Sequence, residues 1–129
     1  MDLTELCSAV AGAGSVVAAG GRTQWEVGVP VGAATEVRAP VGVVAYEPDD
    51  MTITAGAGTT FAELDATLAA HGQECALDPR TPGATLGGIV ACGLSGLRRL
   101  GQGPLRDNVL EVRFVRADGR GVKGGGPTV

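Results

Sequence analysis

The stretch Ala84-Thr85-Leu86-Gly87-Gly88-Ile89-Val90-Ala91 has the apolar spacing of a buried helix, with Thr85 as its natural N-cap. Gly87 and Gly88 nevertheless fall in the first turn, where each weakens a helix by roughly 0.5–1 kcal/mol relative to alanine. Close approach of an anion explains such a pair, because a helix start without Cβ atoms exposes free backbone N–H groups. The stretch therefore predicts a nucleotide-type cofactor site at the start of the helix.

A second glycine cluster, Ala19-Gly20-Gly21-Arg22-Thr23, follows a short apolar run that is typical of a β-strand. By itself it has an ordinary interpretation, because Gly-Gly pairs mark turns and loops generally. Together with residues 84–107 it supports a stronger one, in which two turns rich in backbone N–H groups hold the two ends of one diphosphate. The sequence alone leaves both interpretations open.

Two common phosphate-binding motifs do not account for these glycines. The Rossmann fingerprint G-x-G-x-x-G has its nearest match at Gly56-Ala57-Gly58-Thr59-Thr60-Phe61, where Phe61 replaces the third glycine. The P-loop motif requires Ser or Thr after its lysine, but the single lysine, Lys123, is followed by Gly124. The glycines therefore indicate a different kind of nucleotide site.

The composition limits the classes of function. Ten basic and 14 acidic residues give a net charge of −4, which argues against nucleic acid or an anionic membrane as the main partner. No apolar run is long enough to span a bilayer, and residues 9–19 lack the basic start of a signal peptide, so we expect a cytoplasmic protein. Cys7, Cys75 and Cys92 have neither zinc-site nor disulfide spacing, so we expect reduced thiols and no metal.

Turn and cap residues divide the chain into short helices and strands. Thr60 and Glu63 form a capping box before a helix that ends near Gly72. Further helices are predicted over residues 3–13 and after Thr85, and strands over residues 15–19, 35–38, 43–46, 51–55, 109–115 and 121–124, with turns at residues 47–50 and 117–119. This mixture favours an α+β fold over a regular βαβ array.

Two polar residues have competing interpretations. His71, the single histidine, lies near a predicted helix end, where a surface position favourable to positive charge is expected, and no partner pattern supports a catalytic triad. Asp107 stands between Arg106 and the start of a strand. It either braces the glycine loop, through backbone N–H groups or a pair with Arg106, or contacts a ligand directly.

Taken in order, the glycine-rich segments resemble those of a known family. They are Gly20-Gly21-Arg22-Thr23, Ala55-Gly56-Ala57-Gly58-Thr59-Thr60, Leu77-Asp78-Pro79, Ala84-Thr85-Leu86-Gly87-Gly88, Ser95-Gly96, Gly103 with Arg106-Asp107, and Ala117-Asp118-Gly119. The set is similar to the FAD-binding domain of the vanillyl-alcohol oxidase (PCMH-type) flavoproteins. Within that family it is most similar to the FAD-binding subunit of glycolate oxidase and its bacterial relatives.

The resemblance implies an α+β, PCMH-type FAD-binding domain over residues 1–129, made of two small α/β subdomains that change near residues 50–56, with FAD between them. Residues 19–23 would form the first pyrophosphate loop, and the start of the glycine-rich helix the second. The cofactor-binding residues implied in this way are Ala19, Gly20, Gly21, Arg22, Thr23, Thr85, Gly87, Gly88, Ser95, Gly96, Gly103 and Asp107. The implied reaction is hydride transfer from a hydroxy acid or alcohol to the flavin, with catalytic residues unassigned.

The chain also departs from the family pattern. Ala18 and Ala19 replace the usual Pro-Arg, and Arg22 stands where a third glycine is common, although its guanidinium could neutralise a phosphate. No histidine occupies the loop position that carries covalent FAD in some relatives, so noncovalent FAD is expected. Relatives continue beyond Gly126 into a substrate domain, so the resemblance implies a C-terminally incomplete domain.

We therefore expect the FAD-binding portion of a flavin-dependent oxidoreductase that oxidises a glycolate-like hydroxy acid or an alcohol, assisted by a partner oxidoreductase subunit. On this interpretation the chain alone lacks the substrate domain. The alternative is a non-catalytic remnant or interaction module that needs a partner chain, with an open sheet edge as its association surface.

Overall fold

In the computed structural model, which describes residues 2–29 and 32–126, four short α-helices and six short strands follow one another along the chain. The helices are α1 (Thr4–Ala11), α2 (Phe61–Ala69), α3 (Leu86–Cys92) and α4 (Arg99–Gln102). The strands are β1 (Val16–Ala18), β2 (Thr35–Val37), β3 (Val43–Glu47), β4 (Thr52–Ala55), β5 (Glu111–Val115) and β6 (Gly121–Gly125). Residues 1, 30, 31 and 127–129 of the predicted domain lie outside the described residues.

The predicted α+β class is confirmed, and the described strands form three two-stranded sheets. β1 and β2 are parallel, with Val16 opposite Thr35 and Ala18 opposite Val37. β3 with β4 and β5 with β6 are antiparallel hairpins. Because β1 and β2 run in the same direction, the segments that follow them emerge at the same edge. That edge holds the glycine cluster at residues 19–23.

The predicted helix after Thr60 is confirmed, together with its capping box. The Thr60 hydroxyl accepts a hydrogen bond from the Glu63 N–H at 3.2 Å, and the Glu63 carboxylate accepts one from the Thr60 N–H at 2.8 Å. Both ends of the box satisfy N–H groups that have no partner inside the helix. Leu64 and Leu68 then lie on the buried face of α2.

The glycine-rich helix α3 begins where the sequence predicts. Thr85 is its N-cap, and Ile89 is its buried residue. The helix ends at Cys92 because Gly93 adopts a left-handed conformation, with φ of 63°. There the Gly93 and Leu94 N–H groups donate to the carbonyls of Val90 and Ile89, the pattern of a Schellman motif.

Several predicted bounds need correction. The first helix covers Thr4–Ala11 instead of residues 3–13, and β5 begins at Glu111 instead of residue 109. The sequence also missed α4 and the two 3₁₀ turns, Trp25–Val27 and Leu105–Asn108. Elements of three or four residues are too short to show a periodic pattern.

The buried apolar core is small. Its described members are Val10, Ala19, Leu64, Leu68, Ala84 and Ile89. The chain has 8588 Å² of accessible surface, against about 6,300 Å² expected for a folded monomer of this size. Large apolar side chains such as Leu97 and Leu100 are almost wholly exposed. The stability of the fold therefore depends on a few packed side chains.

We expect Leu64→Ala to lower the free energy of unfolding by about 2–5 kcal/mol, because only 2% of Leu64 is exposed and its truncation leaves a cavity. The matched control is Leu100→Ala, because Leu100 is 100% exposed and its truncation is expected to change the stability by less than about 0.5 kcal/mol. Chemical denaturation followed by circular dichroism measures both changes. Equal losses for the two variants would contradict the assigned core.

We expect Glu63→Gln to remove a pH-dependent part of the stability. The Thr60 hydroxyl and N–H donate to the Glu63 carboxylate and lower its pKa below 4.5. A pKa that is lower in the folded state gives stability that is complete above the unfolded pKa and is lost as pH falls through the folded pKa. The excess stability of the wild type over Glu63→Gln is therefore expected at pH 7 and should vanish in acid.

Melting temperatures measured between pH 7 and pH 3 test this prediction. Glu47→Gln serves as the control, because the Glu47 carboxylate takes part in no hydrogen bond within residues 2–29 and 32–126. If the difference in melting temperature between the wild type and Glu63→Gln did not change with pH, the Glu63 carboxylate would not act through its charge.

Candidate functional site

The two glycine clusters lie in direct contact. A Cβ atom added to Gly20 would stand 2.1 Å from the Thr85 hydroxyl oxygen, and one added to Gly21 would stand 2.0 Å from the Gly83 carbonyl oxygen. Neither distance is compatible with a side chain. Gly20 and Gly21 therefore need to be glycine because another loop of the protein packs against the side where a Cβ atom would stand.

The loop after β1 has backbone N–H groups that lack an acceptor in the described part of the chain. The N–H groups of residues 20–24 donate to no acceptor among the described residues. Arg22 has a positive φ of 54°, so the loop contains the left-handed residue that is typical of anion-binding turns. The loop also lies at the carboxyl edge of the parallel pair β1 and β2, where α/β proteins bind ligands. We refer to residues 20–24 as the N–H cradle.

The start of α3 differs from this cradle. The Leu86 N–H donates to the Thr59 carbonyl at 2.9 Å, and the Gly87 N–H to the Ala57 carbonyl at 2.7 Å. The Gly88 N–H donates to the Thr85 hydroxyl at 3.3 Å. The expectation that these N–H groups are free to meet an anion is therefore wrong. A Cβ at Gly87 would lie 3.0 Å from the Ala57 carbonyl oxygen, so a side chain there would fit only if the Ala57 backbone moved slightly.

Thr59 connects three segments around this helix start, and the sequence did not mark it as a site residue. Its side chain is 1% exposed, and its hydroxyl accepts a hydrogen bond from the Gly42 N–H at 2.8 Å. Its carbonyl accepts the Leu86 N–H, and its own N–H donates to the Gly56 carbonyl at 2.9 Å. A buried polar residue with all these partners fixes the position of α3.

A second group of predicted residues lies at the opposite end of α3. The Asp78 carboxylate accepts hydrogen bonds from the N–H groups of Leu97 at 2.9 Å and Arg98 at 3.2 Å. Gly96 has a φ of 60°, and a Cβ there would lie 2.0 Å from the Asp78 carbonyl oxygen. The Ser95 hydroxyl accepts the Leu105 N–H at 3.2 Å. Asp78 therefore fixes the turn that holds Ser95 and Gly96.

Gly103 and Asp107 adjoin this second group. Gly103 ends α4 with a φ of 79°, and a Cβ there would lie 3.4 Å from an Asp107 carboxylate oxygen. Asp107 pairs with the Arg106 guanidinium at 3.5 Å, with both side chains largely exposed. Of the two bracing roles considered for Asp107, the structure has the pair with Arg106. Within the described residues its carboxylate accepts no backbone N–H.

A charged cluster lies beside the N–H cradle. The Glu36 carboxylate pairs with the guanidinium groups of Arg22 and of Arg38, at 2.6 Å in the case of Arg38. The Arg22 guanidinium also lies 4.8 Å from the ring centroid of Trp25. The hydrogen bond from Arg22 and the charge of both arginines lower the pKa of Glu36 below its usual value. Sequence reasoning missed Glu36, Arg38 and Trp25.

His71 lies away from both groups. It is exposed beyond the end of α2, with its ring edge-on to Tyr46 at 5.0 Å between centroids. Within the described part of the chain, no set of three or more His, Cys, Asp or Glu residues is placed to hold a metal. The described helices also include none long and apolar enough to span a bilayer. The site thus consists of glycine turns and backbone donors.

The loop of residues 20–24 thus combines N–H groups that have no acceptor among the described residues with a left-handed residue and a position at the carboxyl edge of parallel strands, features that are common in sites for phosphate groups. The FAD binding domain family model matches residues 4–125. The chain therefore belongs to the FAD binding domain family, and its cofactor is FAD.

Three curated relatives are similar to this chain in sequence. The glycolate oxidase subunit GlcE of Escherichia coli K12 is 36% identical over 127 residues, which are 96% of this chain and 36% of that protein. The D-lactate dehydrogenase of Archaeoglobus fulgidus is 36% identical over 64% of this chain and 19% of its own length. The mitochondrial D-lactate dehydrogenase [cytochrome] 1 of Saccharomyces cerevisiae is 35% identical over 63% of this chain and 14% of its own length. The chain thus spans about a third or less of the length of these relatives.

We expect Gly21→Ala to lower the free energy of unfolding by roughly 1–3 kcal/mol, because its methyl group would overlap the Gly83 carbonyl. Gly28→Ala is the matched control. Gly28 has a φ of −96° and no atom within 4 Å of an added Cβ, so alanine fits there without strain. Thermal and chemical denaturation of the two variants measure the difference. A Gly21→Ala variant as stable as Gly28→Ala would contradict the close contact of the loops.

Proposed function

We propose that this chain is the FAD-binding portion of a flavin-dependent oxidoreductase that oxidises a small 2-hydroxy acid such as glycolate or D-lactate. The relatives named for these reactions support this substrate class. A flavin supplies the acceptor for a hydride, and a protein supplies binding and orientation. We assign no catalytic base to the described residues.

The observation that carries this proposal is the N–H cradle. A diphosphate is an anion that backbone N–H groups and a left-handed turn can hold. Residues 20–24 lie at the edge of the β1–β2 pair, and their N–H groups have no acceptor among residues 2–29 and 32–126. The hydroxyl-bearing Thr23 is among them. We therefore assign diphosphate binding to residues 20–24. The neighbouring Ala19 is buried, and its N–H is bonded to the Val37 carbonyl, so it supports the loop.

Thr85, Gly87 and Gly88 have a supporting role in this proposal. The Gly87 N–H donates to the Ala57 carbonyl and the Gly88 N–H to the Thr85 hydroxyl, so these two donors face the protein. They hold the start of α3 against the cradle, and the positive end of the helix dipole adds to the field there. We therefore propose that the predicted second pyrophosphate loop does not contact the diphosphate itself. It supports the cradle by packing against it and contributes the electrostatic field of the α3 dipole.

Ser95, Gly96, Gly103 and Asp107 are proposed to line the ribityl or flavin part of FAD. They lie beyond the carboxyl end of α3, whereas the cradle contacts Thr85 at its amino end. Seven helical residues separate the two groups by about 10 Å along the helix axis. An extended dinucleotide is longer than this, so one molecule can reach both groups.

We propose noncovalent attachment, because the single histidine, His71, lies far along α2 from the loop before α3. The N-terminal end of α2 contacts the loop before α3, through the bond from the Phe61 N–H to the Ala84 carbonyl at 2.8 Å. His71 lies beyond the opposite end of α2, about 15 Å along the helix. The described cradle contains no cysteine or histidine.

A partner subunit and a cytoplasmic location complete the proposal. GlcE is named as a subunit of glycolate oxidase, which supports a partner oxidoreductase subunit for this chain. The acidic composition argues against nucleic acid as a partner, and a cytoplasmic location stays a prediction from the sequence.

Titration of the purified chain with FAD, FMN and riboflavin tests the proposed site. We expect FAD to bind at micromolar concentration, about −8 kcal/mol, and to raise the melting temperature. FMN should bind more weakly than FAD because it carries a single phosphate, and riboflavin should bind more weakly still because it carries none. Acid precipitation should release all the flavin. Gly21→Ala should weaken FAD binding, and Gly28→Ala should leave it unchanged.

The same preparation tests the reaction. With FAD bound and oxygen removed, bleaching of the flavin absorbance by glycolate or D-lactate, but not by a 3-hydroxy acid, would support the substrate class. Absence of bleaching by every hydroxy acid would contradict that activity in this chain. Absence of FAD binding by the folded chain would overturn the proposal in favour of the non-catalytic module.

A further inference from the structure

Arg22 is an unexpected residue at its position in the cradle. Its φ is 54°, in the left-handed region, which a residue with a Cβ atom adopts at a cost. Glycine would adopt this conformation freely. Of the non-glycine residues described, Met51 alone shares a positive φ with Arg22. This conformation coincides with a hydrogen bond from the Trp25 N–H to the Arg22 carbonyl at 3.3 Å and with several contacts of the Arg22 side chain.

Those contacts converge on Glu36. One carboxylate oxygen of Glu36 accepts the Arg22 guanidinium, and the other lies 2.6 Å from the Arg38 guanidinium. Arg38 in turn donates to the Gly20 carbonyl at 3.3 Å. The Arg22 guanidinium also lies over the ring of Trp25, at a distance suited to a cation–π interaction. Through two arginines, a single carboxylate on β2 is thus connected to both Gly20 and Arg22.

Glu36 places a negative charge beside the N–H cradle. A carboxylate next to a loop that binds a diphosphate repels that ligand, so its presence requires a compensating role. The two arginines leave this cluster with a net charge of +1, by simple addition of +2 and −1. Each ion pair is partly exposed and weak by itself, but one carboxylate with two arginines and a stacked ring forms a network.

We propose that Glu36 is a positioning residue that holds the N–H cradle in its diphosphate-binding conformation before FAD arrives, acting through Arg22 and Arg38. This inference rests on the proposed function of the cradle. Preorganisation of this kind lowers the cost of ordering the loop when the ligand binds. Glu36 itself does not contact the diphosphate.

Two other roles make opposite predictions. If Arg22 were a direct phosphate ligand, Glu36 would compete with the diphosphate for its guanidinium, and Glu36→Gln would tighten FAD binding. If the charged cluster were without influence, Arg22→Gly would bind FAD as well as the wild type or better, because glycine relieves the positive φ. Positioning predicts weaker binding for both variants.

The first measurement is FAD affinity, by flavin fluorescence, for wild type, Glu36→Gln, Arg22→Gly and the double variant. We expect each single variant to raise the Kd for FAD by about tenfold, and the double variant to be no worse than the weaker single one, because both break one network. Arg22→Lys, which keeps the charge, should restore part of the affinity. Riboflavin binding should be unchanged throughout, which a general loss of folding would not produce.

The second measurement needs no FAD. Trp25 is the single tryptophan of the chain, so its fluorescence reports on the cradle alone. In the free protein we expect Glu36→Gln to increase the quenching of Trp25 by acrylamide, because the Arg22 side chain is released from over the ring. Glu26→Gln is the matched control, because it makes the same chemical change next to Trp25, and Glu26 forms no ion pair within the described residues.

The outcomes separate this inference from the proposed function. If the wild type binds no FAD, the proposed function fails, and the role of Glu36 fails with it. If the wild type binds FAD and Glu36→Gln binds it equally well or better, only the positioning role is overturned. Weaker FAD binding together with increased quenching in Glu36→Gln supports the role.

Discussion

The contact between Gly20-Gly21 and Gly83-Thr85 is the constraint on which the rest of the site depends. These segments are more than 60 residues apart in the sequence, yet a single methyl group at Gly21 would overlap the Gly83 carbonyl. Their contact brings the carboxyl edge of β1 and β2 against the start of α3. The N–H groups of residues 20–24, which have no acceptor among the described residues, therefore lie beside the amino end of α3.

Hydrogen bonds, more than apolar packing, maintain this arrangement. The described core contains few apolar residues, but Thr59 and Thr85 are both buried, and both have partners in the protein. The Phe61 N–H donates to the Ala84 carbonyl and the Ala62 N–H to the Pro82 carbonyl, which join α2 to the loop before α3. A buried donor or acceptor that loses its partner costs more free energy than the intact hydrogen bond contributes to stability. Such a network therefore favours a single geometry.

Local features were predictable because their causes are local. The capping box at Thr60 and Glu63, the N-cap at Thr85 and the strands of both hairpins follow from neighbouring residues. The partners of the glycines were not predictable in the same way. Without Cβ atoms, Gly20 and Gly87 indicate a close approach, but the sequence does not tell whether a ligand or another loop approaches.

The charged cluster was missed for a related reason. Glu36 meets Arg22 only because β1 pairs with β2 in parallel, and three-residue strands give no signal of their pairing. Two indications were nevertheless present in the sequence. Glu36 and Arg38 are two residues apart and so share one side of a strand, and Trp25 is the single tryptophan, close to the glycine loop.

A cradle made of backbone N–H groups also explains how the chain can carry Arg22 where the family commonly has glycine. If this N–H group meets the diphosphate, as we propose, the substitution removes no donor, because arginine has the same backbone N–H as glycine. It changes what maintains the positive φ of the loop, because glycine adopts this conformation by its own freedom and arginine does not. In this chain the conformation coincides with an ion pair to Glu36 and a contact with Trp25. In this chain the shape of the loop therefore depends on side chains of β2 and of the 3₁₀ turn Trp25–Val27, instead of on the conformational freedom of a glycine.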